Sequence, residues 1–204
     1  MDIKDVFIHE AAHALVYHAL DIRVKRVWIE EDANGVSEGM TEVGAPLVLP
    51  PALLVLEFMA GAAALVDLAP LLPFDRVIKK TTTDFCAVLK HLKSSSEEDA
   101  KHNLQRLEMA TRGFVSKWTG THKQMIVNLA SHLQKQKVRP GRYELDGDSL
   151  HPAIDYNWRS KPSVDQVTAF AEQGWAEIHR VEMPDAPVDW HDKILAQYAS
   201  MINA

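Results

Sequence analysis

His9-Glu10-Ala11-Ala12-His13 constrains this chain more than any other stretch of it. Two imidazoles four residues apart can hold one ion only on an α-helix, where positions i and i+4 stack on one face. The neighbours agree with a helix. Val6, Ile8, Ala12, Leu15, Val16 and Ala19 are apolar, Asp2 is a suitable cap, and the helix is expected over residues 3–20. So apolar a helix belongs against a core, and it takes His9 and His13 there with it. Buried imidazoles on one face, beside a carboxylate, suit a zinc ion and a base for its water. The alternative is a surface helix whose histidines are merely solvated, and the apolar surroundings count against it.

A catalytic zinc site has three protein ligands and one open position, so a third ligand is needed. His18 is nearest but lies five residues past His13, which turns it off the ligand face. The longer pattern H-E-x-x-H-x-x-G-x-x-H also fails, since Val16 and Ala19 stand at its Gly and final His. Glu57, Asp67, Asp75 and Asp84 remain. Asp84, beside Thr81-Thr82-Thr83 at the start of an expected helix, is ordinarily read as a cap. Residue type and spacing leave the choice open.

The rest of the chain reads as mainly α. Arg23-Val24-Lys25-Arg26-Val27-Trp28-Ile29-Glu30 alternates as a strand, Asp32-Ala33-Asn34-Gly35 is a turn, and Val36 to Val43 returns as the hairpin partner. Ala45 to Pro51 is a proline-marked loop, after which an apolar helix runs from Pro51 to about Leu68. Leu71-Leu72-Pro73-Phe74 is a break, and Thr82 or Thr83 caps a helix through Phe85, Val88, Leu89 and Leu92. Ser94-Ser95-Ser96 precedes a helix to about Thr119, and His122 to Lys137 forms another on Met125, Ile126, Leu129, Ala130 and Leu133. Beyond Pro140 the pattern weakens, with helices expected again over 163–180 and 188–202.

Composition narrows the functions. A net charge of −6 without a basic stripe argues against nucleic acid as the partner. Cys86 is the sole cysteine, which excludes an internal disulfide and suits a reducing, cytoplasmic setting. Met1-Asp2-Ile3-Lys4-Asp5 has no apolar run, so no secretory leader is expected. The one membrane candidate, Pro46 to Pro73, carries Glu57 and Asp67 and is cut by Pro50, Pro51 and Pro70. A buried core helix is expected there rather than a membrane span. There is no G-x-x-x-x-G-K-[ST], so no ATPase is expected in this chain.

Val6-Phe7-Ile8-His9-Glu10-Ala11-Ala12-His13-Ala14-Leu15-Val16 resembles the zinc helix of the FtsH-type membrane-associated proteases, which join an ATPase to a zinc peptidase domain. Gly35-Val36-Ser37-Glu38-Gly39-Met40-Thr41 falls where that family has a Gly-rich strand. Met59-Ala60-Gly61-Ala62-Ala63-Ala64 is similar to its buried Gly-Ala helix, and Thr81-Thr82-Thr83-Asp84-Phe85 to its threonine-containing turn. Met125 to Leu133 and Arg142-Tyr143-Glu144-Leu145 resemble its later helix and short Leu-Asp-Gly stretch. The resemblance covers roughly residues 1–150 and implies a helical, zincin-like peptidase domain with a small β-hairpin or sheet after the zinc helix. It implies Zn2+ as cofactor, His9, His13 and Asp84 as metal ligands and Glu10 as catalytic base. The chain departs from the family at Ala12, where Gly is usual, and at Leu65 and Val66, where paired glutamates are usual. Residues 151–204, with Trp158, Trp175 and Trp190, have no counterpart and are expected as a helical extension packed on the first domain.

The expected function is therefore a zinc metalloendopeptidase that cleaves peptides or unfolded protein segments, without ATP by itself. A separate ATPase or further copies of the chain would be its partners. A non-catalytic zinc-binding interaction module is the alternative, and a peptidase subunit docking on a separate ATPase is another. Glu10 favours catalysis, because a structural site needs no base. His91, His102, His122, His132, His151, His179 and His191 show no ligand spacing and are expected in surface or core roles.

Overall fold

The computed structural model describes residues 2–35, 37–44, 48–68, 74–93, 97–158, 160–181 and 191–202. Most of the expected break at Leu71–Phe74, the Ser94-Ser95-Ser96 start, Trp190 and the side chain of Asp75 lie outside the described residues.

Helix α1 spans Ile3–Ala19 and begins where Asp2 accepts the Lys4 amide at 2.9 Å. Strand β1 (Val24–Glu31) and strand β2 (Ser37–Val43) follow as the expected hairpin. Their turn is set by Asp32, which accepts the Asn34 amide, and by Gly35 at a φ of 73°. Helix α2 (Pro51–Leu68) starts at proline, where the missing N–H costs nothing. A short helix, α3 (Phe74–Lys80), starts at the last residue of the expected break and runs into α4 (Thr82–His91). Thr81, not Thr82 or Thr83, stands at the cap of α4, and its hydroxyl donates backwards to the Val77 carbonyl at 3.0 Å.

The single helix expected as far as Thr119 is broken in two. Helix α5 (Glu97–Ala110) ends in a π turn at Thr111–Val115, where Gly113 leaves helical geometry at φ −98° and ψ −109°, and α6 (Ser116–Thr121) resumes. Helix α7 (Lys123–Leu133) leads to two strands that the weakening pattern after Pro140 hid, β3 (Lys137–Arg139) and β4 (Arg142–Asp146). Helices α8 (Gly147–Asn157), α9 (Val164–Ile178) and α10 (His191–Ile202) complete the chain. The fold is mainly α with one small antiparallel sheet.

Strand order in that sheet is β2-β1-β4-β3, and Trp28 of β1 sits between Met40 of β2 and Glu144 of β4. Among the described residues no strand pairs with the outer edge of β2. One face of the sheet packs on α1 through Val27, Ile29 and Leu145, and the other carries ion pairs such as Arg26 with Glu42 and Arg142 with Glu30. Helix α2 is the hub: it packs on α1, α4, α6 and α9. It is also the one helix among the described residues long and apolar enough to cross a membrane, with 72% of its apolar window covered by the protein. Buried side chains form a single cluster from Val6 to Tyr198, so α9 and α10 share the core of the first 150 residues.

Candidate metal centre

Helix α1 carries His9, Glu10 and His13 into the core, each no more than 7% exposed. The apolar neighbours that made the helix predictable are what bury them. Asp84 arrives from the first turn of α4. Phe85, Val88 and Leu89 anchor that helix in the core, and a 2.7 Å ion pair from Lys80 to Asp5 fastens the end of α3 to the start of α1. The tertiary fold thus brings together residues 71 positions apart in the chain, His13 and Asp84.

Three donor atoms converge. The Nε2 atoms of His9 and His13 stand 3.1 Å apart, and Asp84 Oδ2 is 3.2 Å from the first and 3.9 Å from the second. Nitrogen and oxygen ligands at zinc-type bond lengths occupy tetrahedron corners about 3.4 Å apart, so these three edges fit one small cation. Asp84 Oδ2 is buried without a hydrogen bond, which marks an atom directed at a missing charge rather than a helix cap. His13 Nδ1–H donates to the Glu57 carbonyl at 2.8 Å, which fixes the tautomer that leaves Nε2 bare for a ligand bond. His9, His13 and Asp84 can therefore hold a metal ion.

Two glycines make the arrangement possible. Gly61 of α2 lies against both imidazoles: a Cβ there would come within 2.3 Å of His9 Nδ1 and 2.7 Å of His13 Nε2. Gly39 of β2 faces Glu10, where a Cβ would come within 2.8 Å of its Cγ. The Glu10 carboxylate takes a 2.9 Å hydrogen bond from Thr41 Oγ1 on the same strand, and its other oxygen stands 4.0 Å from His9 Nε2. Burial holds the Glu10 carboxyl above the usual carboxylate range, against the pull of His9, His13 and the Thr41 hydroxyl. For His13 burial acts against the charged ring, but Glu57, Asp84 and Glu10 outweigh it and lift the pKa to about 10, so that a cation at the cluster would take the place of a proton on Nε2. Three carboxylates around two imidazoles make a place that calls for positive charge.

The site opens into a cavity of about 450 Å³ that reaches from the metal cluster past Tyr17 and Phe58 to Met40 on β2. The other candidate ligands lie elsewhere or point elsewhere. Glu57 is buried with its carboxylate 3.6 Å from His13 Nδ1, on the far side of the ring from the cluster. Asp67 accepts hydrogen bonds from Ser116 and Thr119, both at 2.6 Å. Trp158 is buried in the core and Trp175 is partly buried.

His18 belongs to a second cluster, at the far end of α1, that the linear spacing of histidines does not reveal. The Val24 amide donates to His151 Nε2 at 3.3 Å, so the His151 proton sits on Nδ1 and donates to His18 Nδ1 at 2.8 Å. His18 Nε2–H then donates to Asp155 at 2.8 Å. Every ring nitrogen is used once with both rings neutral, and one more proton would set two N–H groups against each other. Burial, then the charge of Lys161, lowers the His18 pKa against the opposing Asp155; burial also lowers that of His151, where Asp155 opposes and Arg23 and Lys161 add to the fall. Below the ordinary value of 6.5 the unfolded chain takes up these protons before the folded one does. The pair's contribution to stability is thus present above about pH 6.5 and is lost as pH falls further. Between pH 7 and 5 the urea midpoint of the wild type should fall relative to that of His151→Asn, whose pH slope lacks the pair's contribution. An equal slope in the variant would show the pair to be silent.

No family model matches the chain, and no curated protein does.

Proposed function

We propose that the chain is a zinc-dependent endopeptidase, built on a site like that of the FtsH-type proteases, with His9, His13 and Asp84 as ligands and Glu10 as base. The observation that carries this reading is the placement of Glu10: a buried carboxylate with one oxygen hydrogen-bonded by Thr41 and the other turned toward the convergent donors. A purely structural metal site has no use for such a group. Two imidazoles and one carboxylate form the donor set of hydrolytic zinc centres, which leave one position open. Zinc, when bound, supplies a Lewis acid that polarises a peptide carbonyl and brings the pKa of water near neutrality.

The remaining work falls to the protein's own groups. Glu10 accepts the proton of the attacking water and returns it to the leaving amine. An extended peptide reaches the cavity by pairing with the open edge of β2, which borders the site at Gly39, Met40 and Thr41. That mode asks for chain that is already unfolded, such as peptides, loops or denatured segments.

The test is metal content by elemental analysis together with cleavage of casein and unfolded peptides, before and after a chelator. The expected result is about one zinc per chain and cleavage that chelation abolishes and zinc restores. Asp84→Ala should weaken zinc binding by roughly 100-fold or more, since it removes a ligand where even outer partners cost 10–100-fold. Wild-type protein that binds no zinc would overturn the centre. Bound zinc without cleavage of any unfolded substrate would leave an interaction module.

A further inference from the structure

Glu10 is held from outside its own helix. Among the described residues, the hydrogen bond its carboxylate takes comes from Thr41 Oγ1, 2.9 Å from Oε2. The same hydroxyl lies 3.1 Å from the Glu10 main-chain oxygen. The carboxylate oxygen is the nearer of the two acceptors. Gly39 lies two positions earlier on the same face of β2, and its missing side chain leaves the space that Glu10 Cγ and Oε1 occupy. The strand therefore grips one oxygen of the carboxylate and makes room for the other, which faces His9. Since β2 is an edge strand of the sheet among the described residues, and the edge that borders the site, the element that sets the Glu10 rotamer is also the element along which an extended peptide would pair.

Resting on the proposed peptidase reading, we propose that Thr41 is a positioning residue for Glu10, and that through it a peptide paired with β2 bears directly on the aim of the base. Thr41 touches neither the ligand atoms nor the reacting bond. Its hydroxyl selects which carboxylate oxygen is free and where that oxygen points. Loss of the hydroxyl leaves Glu10 buried without its donor and free to take other rotamers. Misplacement of a catalytic group by about 1 Å costs on the order of 100-fold.

Three variants test the idea. Thr41→Val keeps the shape and β-branching but removes the donor, Thr41→Ser keeps the donor, and Glu10→Met, which has no oxygen to accept the hydroxyl, supplies the partner for a double-mutant cycle. The expected results are a fall of roughly 10- to 100-fold in kcat for Thr41→Val, with KM and zinc affinity close to wild type, and recovery in Thr41→Ser. In the metal-free protein, chemical unfolding of Thr41→Val, Glu10→Met and the double variant should show coupling between the two sites. A structural role alone would lower stability without separating kcat from KM, and serine would not restore the rate. Unchanged kcat in Thr41→Val, in a preparation whose wild type is active, would overturn the proposal alone. A wild type that binds zinc and cleaves nothing would overturn it together with the peptidase reading.

Discussion

Glu10→Gln is expected to leave the metal centre loaded and to stop cleavage. Glutamine has the same length and shape, and its amide oxygen still accepts the Thr41 hydroxyl that now meets Glu10 Oε2 at 2.9 Å. The packing around the side chain, including the close approach of Gly39, is kept. What is lost is the ability to take a proton. General acid–base catalysis contributes about 100- to 10,000-fold, so turnover should fall by about that range, with no other carboxylate among the described residues placed to replace Glu10. Glu57 is the nearest buried alternative, and it stands behind His13 on the Nδ1 side. Metal should remain, because the three convergent atoms are those of His9, His13 and Asp84. Elemental analysis and peptide cleavage on the same preparation check both halves. Full activity in the variant would mean that another group is the base. Loss of zinc would mean that Glu10 is a ligand.

Gly61→Ala is expected to empty the centre without altering any ligand. A methyl group at this position would lie 2.3 Å from His9 Nδ1, 2.4 Å from His9 Cε1 and 2.7 Å from His13 Nε2. Ordinary contact begins about 1 Å further out. Either α1 and α2 move apart along a buried interface, or both rings rotate away from the convergent geometry. Overpacking of a core costs about 1–3 kcal/mol, which the fold can absorb. The metal site has less latitude, because such constellations work only within about 0.5 Å of their geometry. Zinc affinity should drop by roughly 100-fold or more, at least as much as for loss of a supporting contact. Competition with a chromophoric chelator measures the loss. Gly44→Ala serves as the control, since a Cβ there meets nothing within 4 Å. Wild-type affinity in Gly61→Ala would show that α1 and α2 separate freely.

Much of this architecture is written in local pattern. Helix α1, the β1–β2 hairpin and α2 follow from spacing, a turn signal and a proline start, and the structure begins and ends them within one or two residues of expectation. His9, Glu10 and His13 were legible because one helical turn joins them. Asp84 was harder. Its position in the first turn of a helix is what a capping residue would also show, and only the threonine turn resembling a known family singled it out. The cap itself is Thr81, whose hydroxyl turns back to Val77, so the residues offered as caps, Thr82 and Thr83, lie inside the helix. Other features have no local signal. Strands β3 and β4 are short and broken by Gly141, and β4 gains its meaning from pairing with β1, over a hundred residues earlier. The contact of His18 with His151 likewise joins ends of the chain that spacing rules do not compare. Gly113 breaks an apparently continuous helix, and the next residue, Phe114, packs into the space left by Gly174, a partner some sixty residues on that no local pattern reveals.

The open edge of β2 has a consequence for the molecule in company with itself. An unpaired strand is a template for any other strand, including the same one from a second copy. Two copies meeting antiparallel, centred on Met40, would set Glu38 of each against Glu42 of the other. Like charges facing across such a pair repel. Glu42 already has Arg26 as partner, so among the described residues it is Glu38 that brings uncompensated charge to such a pair and weighs against self-pairing in that register.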